Sequence, residues 1–422
     1  MTDGASRGPD LALVVAGTRG DLQPFLALAR ALRAAGARPR LLTHLVHRPA
    51  VMAAGVPFVE LPGNPQEFLM TDWGQDFINA RNPLQLLTSL RRGATALIDD
   101  IISALESGLK DSDLVVFSPM GVVAYHVAES LGIPSAWGAL QPLTRTTAWP
   151  SLLVSPARDL GWANRYTYTV AERLQWWLFG TSVDSYRRGA GLKPYGRRGP
   201  FREIEQSLPV LCGWSPALLP APSDWSSRVS VTGRWHLPSD GRLPTELDNF
   251  LDAGPPPVYI GLGSMTVQSP DVTTRMLVSA ARELGARIVL SRGWTGLGGG
   301  IENGQDICIV DEVPHDALFG RCAAVVHHAG AGTTQSVAAA GVPGVPLPFF
   351  GDQPFWARLT AERGIASDPV PKHRWSTDRI AASLAQALLE PWRAERARSI
   401  ARQMADEHGA EAAAAQLLEL LL

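Results

Sequence analysis

The feature that most constrains the fold is a long uncharged stretch: no Asp, Glu, Lys or Arg occurs from Cys322 to Gly351. Its histidines, glycines and prolines argue against a membrane span. The pattern predicts a buried strand at Ala323–His327, a glycine turn and a helix starting near Thr333. A second buried strand at Val345–Leu347 leads to a polar tip at Asp352–Gln353. This is half a βαβ unit, whose chemistry is expected at the strand ends.

The glycine turn has the composition of a phosphate-binding turn. Gly330 and Gly332 permit tight backbone conformations and bring N–H groups close to an anion. Thr333 and Thr334 can cap a helix whose N-terminus favours negative charge, and His328 adds a side-chain donor. These residues favour a diphosphate cradle. An ordinary strand–helix turn capped by threonine is the alternative.

The complete motif favours the first of these two interpretations. The segment from His328 to Thr334, followed by Asp352-Gln353, resembles the nucleotide-sugar signature of the UDP-dependent glycosyltransferase superfamily (family 1). The spellings H-H-A-G-A-G-T-T and P-F-F-G-D-Q-P-F-W are most similar to the sterol glucosyltransferase-like and bacterial natural-product branch. The resemblance implies that His328 and the turn amides, from Gly330 through Gly332 to Thr333, hold a diphosphate. Asp352 and Gln353 would bind the sugar hydroxyls.

The resemblance also implies the fold and the kind of reaction. The expected architecture is GT-B, an α/β fold of two Rossmann-like, doubly wound parallel-sheet domains facing a cleft. The acceptor-binding domain would cover residues 1–235 and the nucleotide-sugar domain residues 236–395, with a final helix at 396–422 packing back onto the first domain. The resemblance implies an inverting reaction that needs no metal, so a nucleotide-diphosphate sugar is expected as co-substrate and no cofactor.

Strands and helices alternate along both halves, which independently predicts parallel α/β domains. The first half is predicted to contain strands at Leu11–Ala16, Arg40–Thr43, Pro57–Leu61, Leu114–Phe117 and Pro134–Gly138, helices at Pro24–Ala35, Pro83–Leu109 and Met120–Leu131, and a mobile loop at Gly63–Asn82. The second half is predicted to contain strands at Val258–Leu262, Ile288–Leu290 and Ile307–Val310, and helices at Val272–Leu284, Trp375–Leu389 and Ala394–Leu422. Arg234–Thr245 is the predicted linker.

Composition excludes several classes of function. Charged residues are 18% of 422 residues and the net charge is −2, so nothing favours nucleic-acid binding. Three dispersed cysteines make neither a disulfide framework nor a metal cluster. Asp111-Ser112-Asp113 is interpreted as a solvated turn, and no metal site is expected. The first residues do not have the pattern of a signal peptide and no transmembrane segment is evident, so a cytoplasmic location is expected. A monomer or homodimer is also expected.

Three further strand-end loops of the second half carry candidate donor-binding residues. Ser264 lies in G-L-G-S-M directly after a buried strand and would contact the diphosphate. The resemblance places Val313 beside the nucleobase. Plant relatives carry a stacking tryptophan at the position of Glu312, so UDP and dTDP both remain open. Trp294 is a candidate to stack on the base instead, and a packing role is the alternative.

Asp21 is the candidate general base. Attack by an acceptor hydroxyl on a sugar carbon requires a group that accepts the proton, and a carboxylate in a partly apolar site suits this task. The turn G-T-R-G-D resembles that of antibiotic and sterol glycosyltransferases, in which the aspartate has this role, and Gly20 is assigned to the donor site. The alternative is that Asp21 caps the helix beginning near Pro24.

The acceptor is expected to be hydrophobic. Tryptophans and tyrosines cluster between Trp137 and Trp177. Trp137 and Trp149 are predicted to line a pocket for a sterol-like, polyketide or macrolide acceptor, although packing of helices on the sheet explains them equally well. Two other functions remain open, namely a nucleotide-sugar epimerase on the same fold and a non-catalytic auxiliary partner of a glycosyltransferase.

Overall fold

The computed structural model describes residues 7–65, 67, 97–152, 159–239 and 241–422. Most of the loop predicted at Gly63–Asn82 lies outside the described residues, as does the first part of the helix predicted at Pro83–Leu109. Residues 97–108 of that predicted helix are helical.

The chain divides into two compact units. The N-terminal unit comprises Met1–Pro216, Pro220–Leu237 and His408–Leu422, and the C-terminal unit comprises Ala217–Leu219 and Pro238–Glu407.

The N-terminal unit is built on a parallel sheet of seven strands in the order β3-β2-β1-β4-β5-β6-β7. Its strands are β1 (Asp10–Val14), β2 (Arg38–His44), β3 (Phe58–Leu61), β4 (Leu114–Phe117), β5 (Ser135–Ala139), β6 (Val210–Cys212) and β7 (Val229–Val231). Its helices are α1 (Arg19–Ala34), α2 (Arg48–Ala53), α3 (97–108), α4 (Val123–Ser130), α5 (Asn164–Gly189) and α6 (Phe201–Ser207), with short 3₁₀ turns at Leu45–His47, Pro119–Gly121, Gly161–Ala163 and Gly196–Arg198.

Both faces of this sheet are covered. Along β1, Leu11 and Leu13 face the core formed with α1, whereas Ala12 and Val14 face the core formed with α3, α4 and α5. The alternation follows from the two-residue period of a strand, and covering both faces explains why β1 is apolar throughout.

The C-terminal unit has a five-stranded parallel sheet in the order β10-β9-β8-β11-β12. Its strands are β8 (Val258–Gly261), β9 (Ile288–Ser291), β10 (Ile307–Val310), β11 (Ala324–His327) and β12 (Gly344–Pro346). Its helices are α7 (Thr245–Asp252), α8 (Pro270–Arg282), α9 (His315–Leu318), α10 (Ala331–Ala340), α11 (Gln353–Glu362), α12 (Thr377–Leu389) and α13 (Pro391–Met404), with 3₁₀ turns at Phe319–Arg321 and Lys372–Arg374.

The prediction of a single final helix is wrong. Helix α13 ends at Met404 within the C-terminal unit, and a separate helix α14 (Gly409–Glu419) belongs to the N-terminal unit. The break has a packing reason, because a Cβ on Gly409 would lie 2.3 Å from the carbonyl carbon of Gly233. Only glycine allows this close backbone approach.

The prediction of two doubly wound α/β units is confirmed. Each sheet changes direction once, between β1 and β4 in the N-terminal unit and between β8 and β11 in the C-terminal unit. Open α/β sheets bind ligands outside the carboxyl ends of the strands at such switch points. The turns after β1, β8 and β11 are therefore the expected ligand-binding positions.

Candidate active site

The turn after β11 leaves the N-terminus of α10 free of acidic groups. Helix α10 begins at Ala331, two residues before the predicted start, with Gly330 as its N-cap. No side chain caps this end, and no acidic residue lies in the first turn. The first backbone N–H groups of a helix have no partner within it and carry partial positive charge. Gly332 and Thr333 lie in this first turn, so their amides are available to an anion.

His328 is wedged between the turns that follow β8 and β11. A Cβ on Gly263 would lie 2.8 Å from its Cε1 atom, and a Cβ on Gly330 would lie 2.5 Å from its Nε2 atom. Gly263 also has a φ of +60°, in the left-handed region. Both glycines therefore make room for the imidazole. Because β8 and β11 are adjacent and parallel, the two turns meet at His328.

The His328 ring can form a further hydrogen bond. Its Nδ1 atom is buried and has no hydrogen-bond partner among the described residues. Burial lowers the pKa of His328 to about 4, so at neutral pH the uncharged ring has one N–H donor and one acceptor nitrogen. The hydroxyls of Thr266 and Thr334 are likewise buried without a partner in the described part of the chain. Such unsatisfied polar atoms are characteristic of a site that binds a polar ligand.

The neighbouring His327 has a different environment. It is 2% exposed, and its Nδ1 atom accepts a hydrogen bond of 3.2 Å from the backbone N–H of Ala329. Ala329 has a φ of +64°, an unusual conformation for a residue with a side chain. Burial lowers the pKa of His327 to about 3. This histidine holds the turn, whereas His328 has the nitrogen without a partner.

The other predicted donor residues lie on loops at the carboxyl ends of the strands. The backbone N–H of Trp294 donates to the carbonyl of Gly263 over 3.1 Å, which ties its loop to the turn that carries Ser264. Ser264 and Trp294 are half-buried, as is Val313 after β10. Because the carboxyl ends of parallel strands share one edge of a sheet, these loops lie at the same edge as His328.

The Asp-Gln tip has both polar and apolar contacts. Asp352 is the N-cap of α11, and its carboxylate accepts from the indole N–H of Trp356 over 3.0 Å. Gln353 is only 4% exposed. Its Oε1 accepts from the N–H of Phe349 over 2.8 Å, and its amide nitrogen donates to Met265 Sδ over 3.2 Å. A thioether is a weak acceptor, so this N–H can be transferred to a sugar hydroxyl at small cost.

Lys372 is a site candidate that sequence reasoning missed. Its ammonium lies 5.3 Å from the ring centre of Phe349 and has no hydrogen-bond partner among the described residues. Burial lowers the pKa of Lys372. The signal available in the sequence was weak, namely that this is one of three lysines in the chain. Lys372 lies near the Asp-Gln tip only because the chain folds back on itself, and no local sequence motif indicates this.

Asp21 occupies the first turn of α1, which begins at Arg19 and not near Pro24 as predicted. Its Oδ2 atom accepts from the backbone N–H of Thr18 over 2.8 Å and from the Thr18 hydroxyl over 3.2 Å. This is the contact of a capping box, so the capping role considered from the sequence is present. Gly20, beside it, is exposed.

The electrostatic environment of Asp21 also suits a base. Burial raises the pKa of this carboxyl, opposed by hydrogen bonds from Thr18 and Gln141 and by the nearby His47. His47 follows β2, and its Nε2 atom lies 3.0 Å from the carbonyl oxygen of Gly17. Sequence reasoning found no histidine in the Asp21 turn, because His47 comes from the next strand end. The tertiary fold therefore supplies a histidine near Asp21.

The two candidate acceptor tryptophans have different surroundings. Trp137 lies on β5, stacks on Phe117 at 6.5 Å between ring centres, and lines a cavity of about 40 Å³. Trp149 does not line this cavity and packs edge-on against Trp225 at 6.0 Å. The structure therefore places one of them at a pocket and the other in an aromatic packing contact.

Within the described ranges, no helix combines the length and apolarity needed to cross a membrane. The same residues contain no group of three or more His, Cys, Asp or Glu side chains arranged to hold a metal ion. The three cysteines are buried and free.

Two family models match parts of this chain. Residues 11–150 match the glycosyltransferase family 28 N-terminal domain, and residues 275–420 match the C-terminal domain of erythromycin biosynthesis protein CIII-like proteins. O-mycaminosyltylonolide 6-deoxyallosyltransferase of Streptomyces fradiae is 35% identical over 410 residues, which cover 95% of both chains. Sterol 3-beta-glucosyltransferase UGT80B1 of Arabidopsis thaliana is 34% identical over 96% of this chain. The present chain spans 66% of the length of that plant protein.

Solved structures share the fold. The glycosyltransferase of kitacinnamycin superposes with a TM-score of 0.73 at 22% identity, covering 99% of this chain and 100% of the other. The calicheamicin glycosyltransferase CalG4 gives a TM-score of 0.73 at 18% identity, covering 98% of each chain. VinC, solved in complex with dTDP, gives 0.67 at 19% identity and covers 98% of this chain and 99% of its own. The sequence similarity and the shared architecture together show that this chain belongs to the glycosyltransferases of the GT-B fold, in the branch that includes sterol and macrolide glycosyltransferases.

Proposed function

We propose that this protein is an inverting glycosyltransferase that moves a sugar from a UDP- or dTDP-sugar to a hydroxyl of a hydrophobic acceptor. The observation that carries the proposal is the position of His328. It lies between two glycine turns, beside a helix N-terminus whose first turn has no acidic residue, and one of its ring nitrogens has no partner among the residues that the structure describes. This combination is suited to a diphosphate, because neutral donors and a helix dipole stabilise negative charge without a counter-ion in the site.

The donor would be bound by the C-terminal unit. The amides of Gly332 and Thr333, the ring of His328 and the turn at Ser264 would hold the two phosphates. Asp352 and Gln353 would hydrogen-bond the sugar hydroxyls, with Gln353 exchanging its weak bond to Met265 Sδ for a sugar oxygen. Trp294 and Val313 would contact the nucleobase. The dTDP in VinC and the macrolide transferase among the relatives support dTDP as one candidate donor.

The chemical step would be an in-line displacement. The oxygen of the acceptor hydroxyl forms a bond to the anomeric carbon, while the bond between that carbon and the phosphate oxygen breaks and the nucleoside diphosphate leaves. Asp21 takes the hydroxyl proton, and the raised pKa of its buried carboxyl supports this role. The helix N-terminus and the neutral donors offset the charge that develops on the leaving diphosphate. Each bond is accounted for without a metal ion.

The acceptor would be a hydroxylated apolar molecule bound by the N-terminal unit. The relatives named as sterol and macrolide transferases support this class, and the cavity beside Trp137 supports its location. Trp149 packs against Trp225 and offers less support as an acceptor contact.

The test is a donor screen without acceptor. UDP, dTDP and their glucose conjugates are titrated calorimetrically, and slow hydrolysis of the bound conjugate is followed by release of the diphosphate. We expect binding of one nucleotide in the micromolar range and acceptor-independent hydrolysis of its sugar conjugate. Specific binding of neither nucleotide would contradict the proposal and favour a non-catalytic auxiliary protein. Release of an epimerised sugar would favour an epimerase.

A further inference from the structure

The cavity beside Trp137 is built inside the N-terminal unit. Its walls come from β4, β5, α5, α6 and the segment that begins at Leu143. Apolar side chains such as Phe117 and Phe201 form part of the lining, together with Trp137. At about 40 Å³, the cavity is large enough for a small substituent of a ligand and too small for an entire ring system.

The charged groups that line this cavity are already paired. The guanidinium of Arg145 donates to Glu172 Oε1 over 2.8 Å and to the Thr169 hydroxyl over 3.1 Å. Glu205 accepts from the backbone N–H of Arg145 over 2.9 Å, and burial raises the pKa of Glu205 to about 7. The Tyr168 hydroxyl donates to a backbone carbonyl. A charged ligand would have to break these pairs, so this wall does not favour an ion.

Two residues that line the same cavity carry neutral polar groups without a partner in the described part of the chain. Thr144 is 2% exposed, and its hydroxyl has no hydrogen-bond partner among the described residues. The indole N–H of Trp137 is also buried without a partner in the described part of the chain. A buried donor that is left unsatisfied destabilises the folded chain. A ligand atom that accepts a hydrogen bond would recover this free energy.

The cavity is connected to the Asp21 turn through a short stretch of chain. Gln141 hydrogen-bonds the Asp21 carboxyl, and the cavity lining begins two residues later, at Leu143. Thr144 follows directly. A ligand that reaches the cavity therefore lies next to the segment that contacts the candidate base.

We propose that this cavity is a subsite that recognises a neutral oxygen, a carbonyl or hydroxyl, on the acceptor at a distance from the hydroxyl that receives the sugar. This inference rests on the proposed function, because it takes the ligand to be the acceptor. The Trp137 indole N–H donates to that oxygen, and the Thr144 hydroxyl completes its hydrogen bonding. Sites that satisfy their buried polar groups through a substrate oxygen discriminate strongly against analogues lacking it. The chain thus selects oxygenated acceptors, such as polyketides and oxo-steroids, over sterols with a hydrocarbon tail.

The experiment compares two steroids that differ by one oxygen. Both carry a 3β-hydroxyl on the same ring system, and only one has a ketone at carbon 17: 3β-hydroxyandrost-5-en-17-one and androst-5-en-3β-ol. Their affinities are measured by calorimetry on the full chain without any nucleotide-sugar. We expect the ketone to bind about 10-fold more tightly, which corresponds to one additional hydrogen bond.

Three variants assign the preference to the cavity. Thr144→Val removes the hydroxyl while keeping the shape, and Trp137→Phe removes the indole N–H together with part of the ring. Each is expected to reduce the preference to about 3-fold or less. Thr144→Ser keeps the hydroxyl and should retain the preference. Circular dichroism establishes that each variant is folded.

Equal affinity for the two steroids, binding of neither, or a preference that survives in both Thr144→Val and Trp137→Phe would overturn the inference. These measurements contain no donor, so they are independent of the nucleotide screen. If the chain binds dTDP or UDP but shows no preference for the ketone, the proposed function stands and only the inference about the cavity is contradicted.

Discussion

The turn after β1 and the turn after β11 share one architecture and differ in charge. Each joins a buried strand to a helix at the switch point of its sheet. In the first, Asp21 lies in the first turn of α1 and accepts from the Thr18 backbone N–H. In the second, Gly330 is the N-cap of α10, and no acidic residue follows in the first turn.

This difference explains how one local structure can have two uses. The positive end of α1 is compensated by its own carboxylate, so an external anion gains little there. The positive end of α10 has no internal anion and is left for a ligand. The first turn therefore supplies a carboxylate and the second supplies a site for an anion, which fits a base in one unit and a diphosphate site in the other.

The largest effect is expected from a substitution that separates the two roles of Asp21, general base and helix cap. Asp21→Asn keeps an oxygen that accepts from Thr18 and removes the basicity. We expect kcat for glycosyl transfer to fall by about 10² to 10⁴-fold, with the free energy of unfolding changed by less than about 1 kcal/mol. Steady-state kinetics and urea unfolding measure the two quantities.

A variant with unchanged kcat would leave Asp21 with its capping role alone. A variant that is inactive because it is unfolded is recognised by the urea transition. Binding of the nucleoside diphosphate should be nearly unchanged, because that site is assigned to the other unit.

The next effect concerns the glycine that makes room for His328. Gly263→Ala would place a Cβ 2.8 Å from the ring at a φ of +60°, whereas Gly285→Ala, at a φ of +65°, meets nothing within 4 Å. The control should lose about 1 kcal/mol of unfolding free energy from the left-handed conformation alone. We expect Gly263→Ala to lose at least about 1 kcal/mol more because the ring must move.

Calorimetric titration with UDP and dTDP adds a second reading. Gly263→Ala should weaken the binding of the preferred nucleotide, and Gly285→Ala should leave the affinity for this nucleotide unchanged. Equal stability losses and equal affinities for the two variants would contradict the wedged position of His328.

The smallest effect is a pH dependence. In the folded chain His328 has a pKa of about 4, lowered by burial from 6.5. As pH falls below about 6.5, the unfolded chain binds this proton first, so the folded state loses stability between about pH 7 and pH 4. Between pH 7.5 and 5.0 the wild type should lose about 1–2 kcal/mol more than His328→Asn. Urea unfolding at both pH values checks this, and parallel losses in the two proteins would exclude a buried neutral imidazole.

Much of the fold was readable from the sequence because parallel strands buried on both faces are apolar throughout. The strand at β11, the glycine turn and the second strand at β12 were predicted within two residues. The alternation of strands and helices also predicted the two α/β units. These features depend on residues close together in the chain, where periodicity and turn residues are informative.

What the sequence did not reveal depends on distant residues. His47 and Gln141 reach the Asp21 turn from other strand ends, and Lys372 reaches Phe349 through a fold-back. The break within the last predicted helix was missed, because the requirement for Gly409 at the start of α14 comes from its contact with Gly233. None of these contacts is indicated by a pattern of neighbouring residues in the sequence.

The most direct test of the central claim is to place a carboxylate in the turn after β11, where the turn after β1 already has one. Thr333 occupies the position in α10 that Asp21 occupies in α1, the third residue of the helix. Thr333→Asp and its neutral control Thr333→Asn are titrated with UDP and dTDP by calorimetry. We expect Thr333→Asp to bind the preferred nucleotide at least about 10-fold more weakly than Thr333→Asn. Its fold should be equally stable or gain about 0.3–1 kcal/mol from the charge at the helix N-terminus. Equal nucleotide affinity in the two variants would contradict the assignment of the diphosphate to the N-terminus of α10.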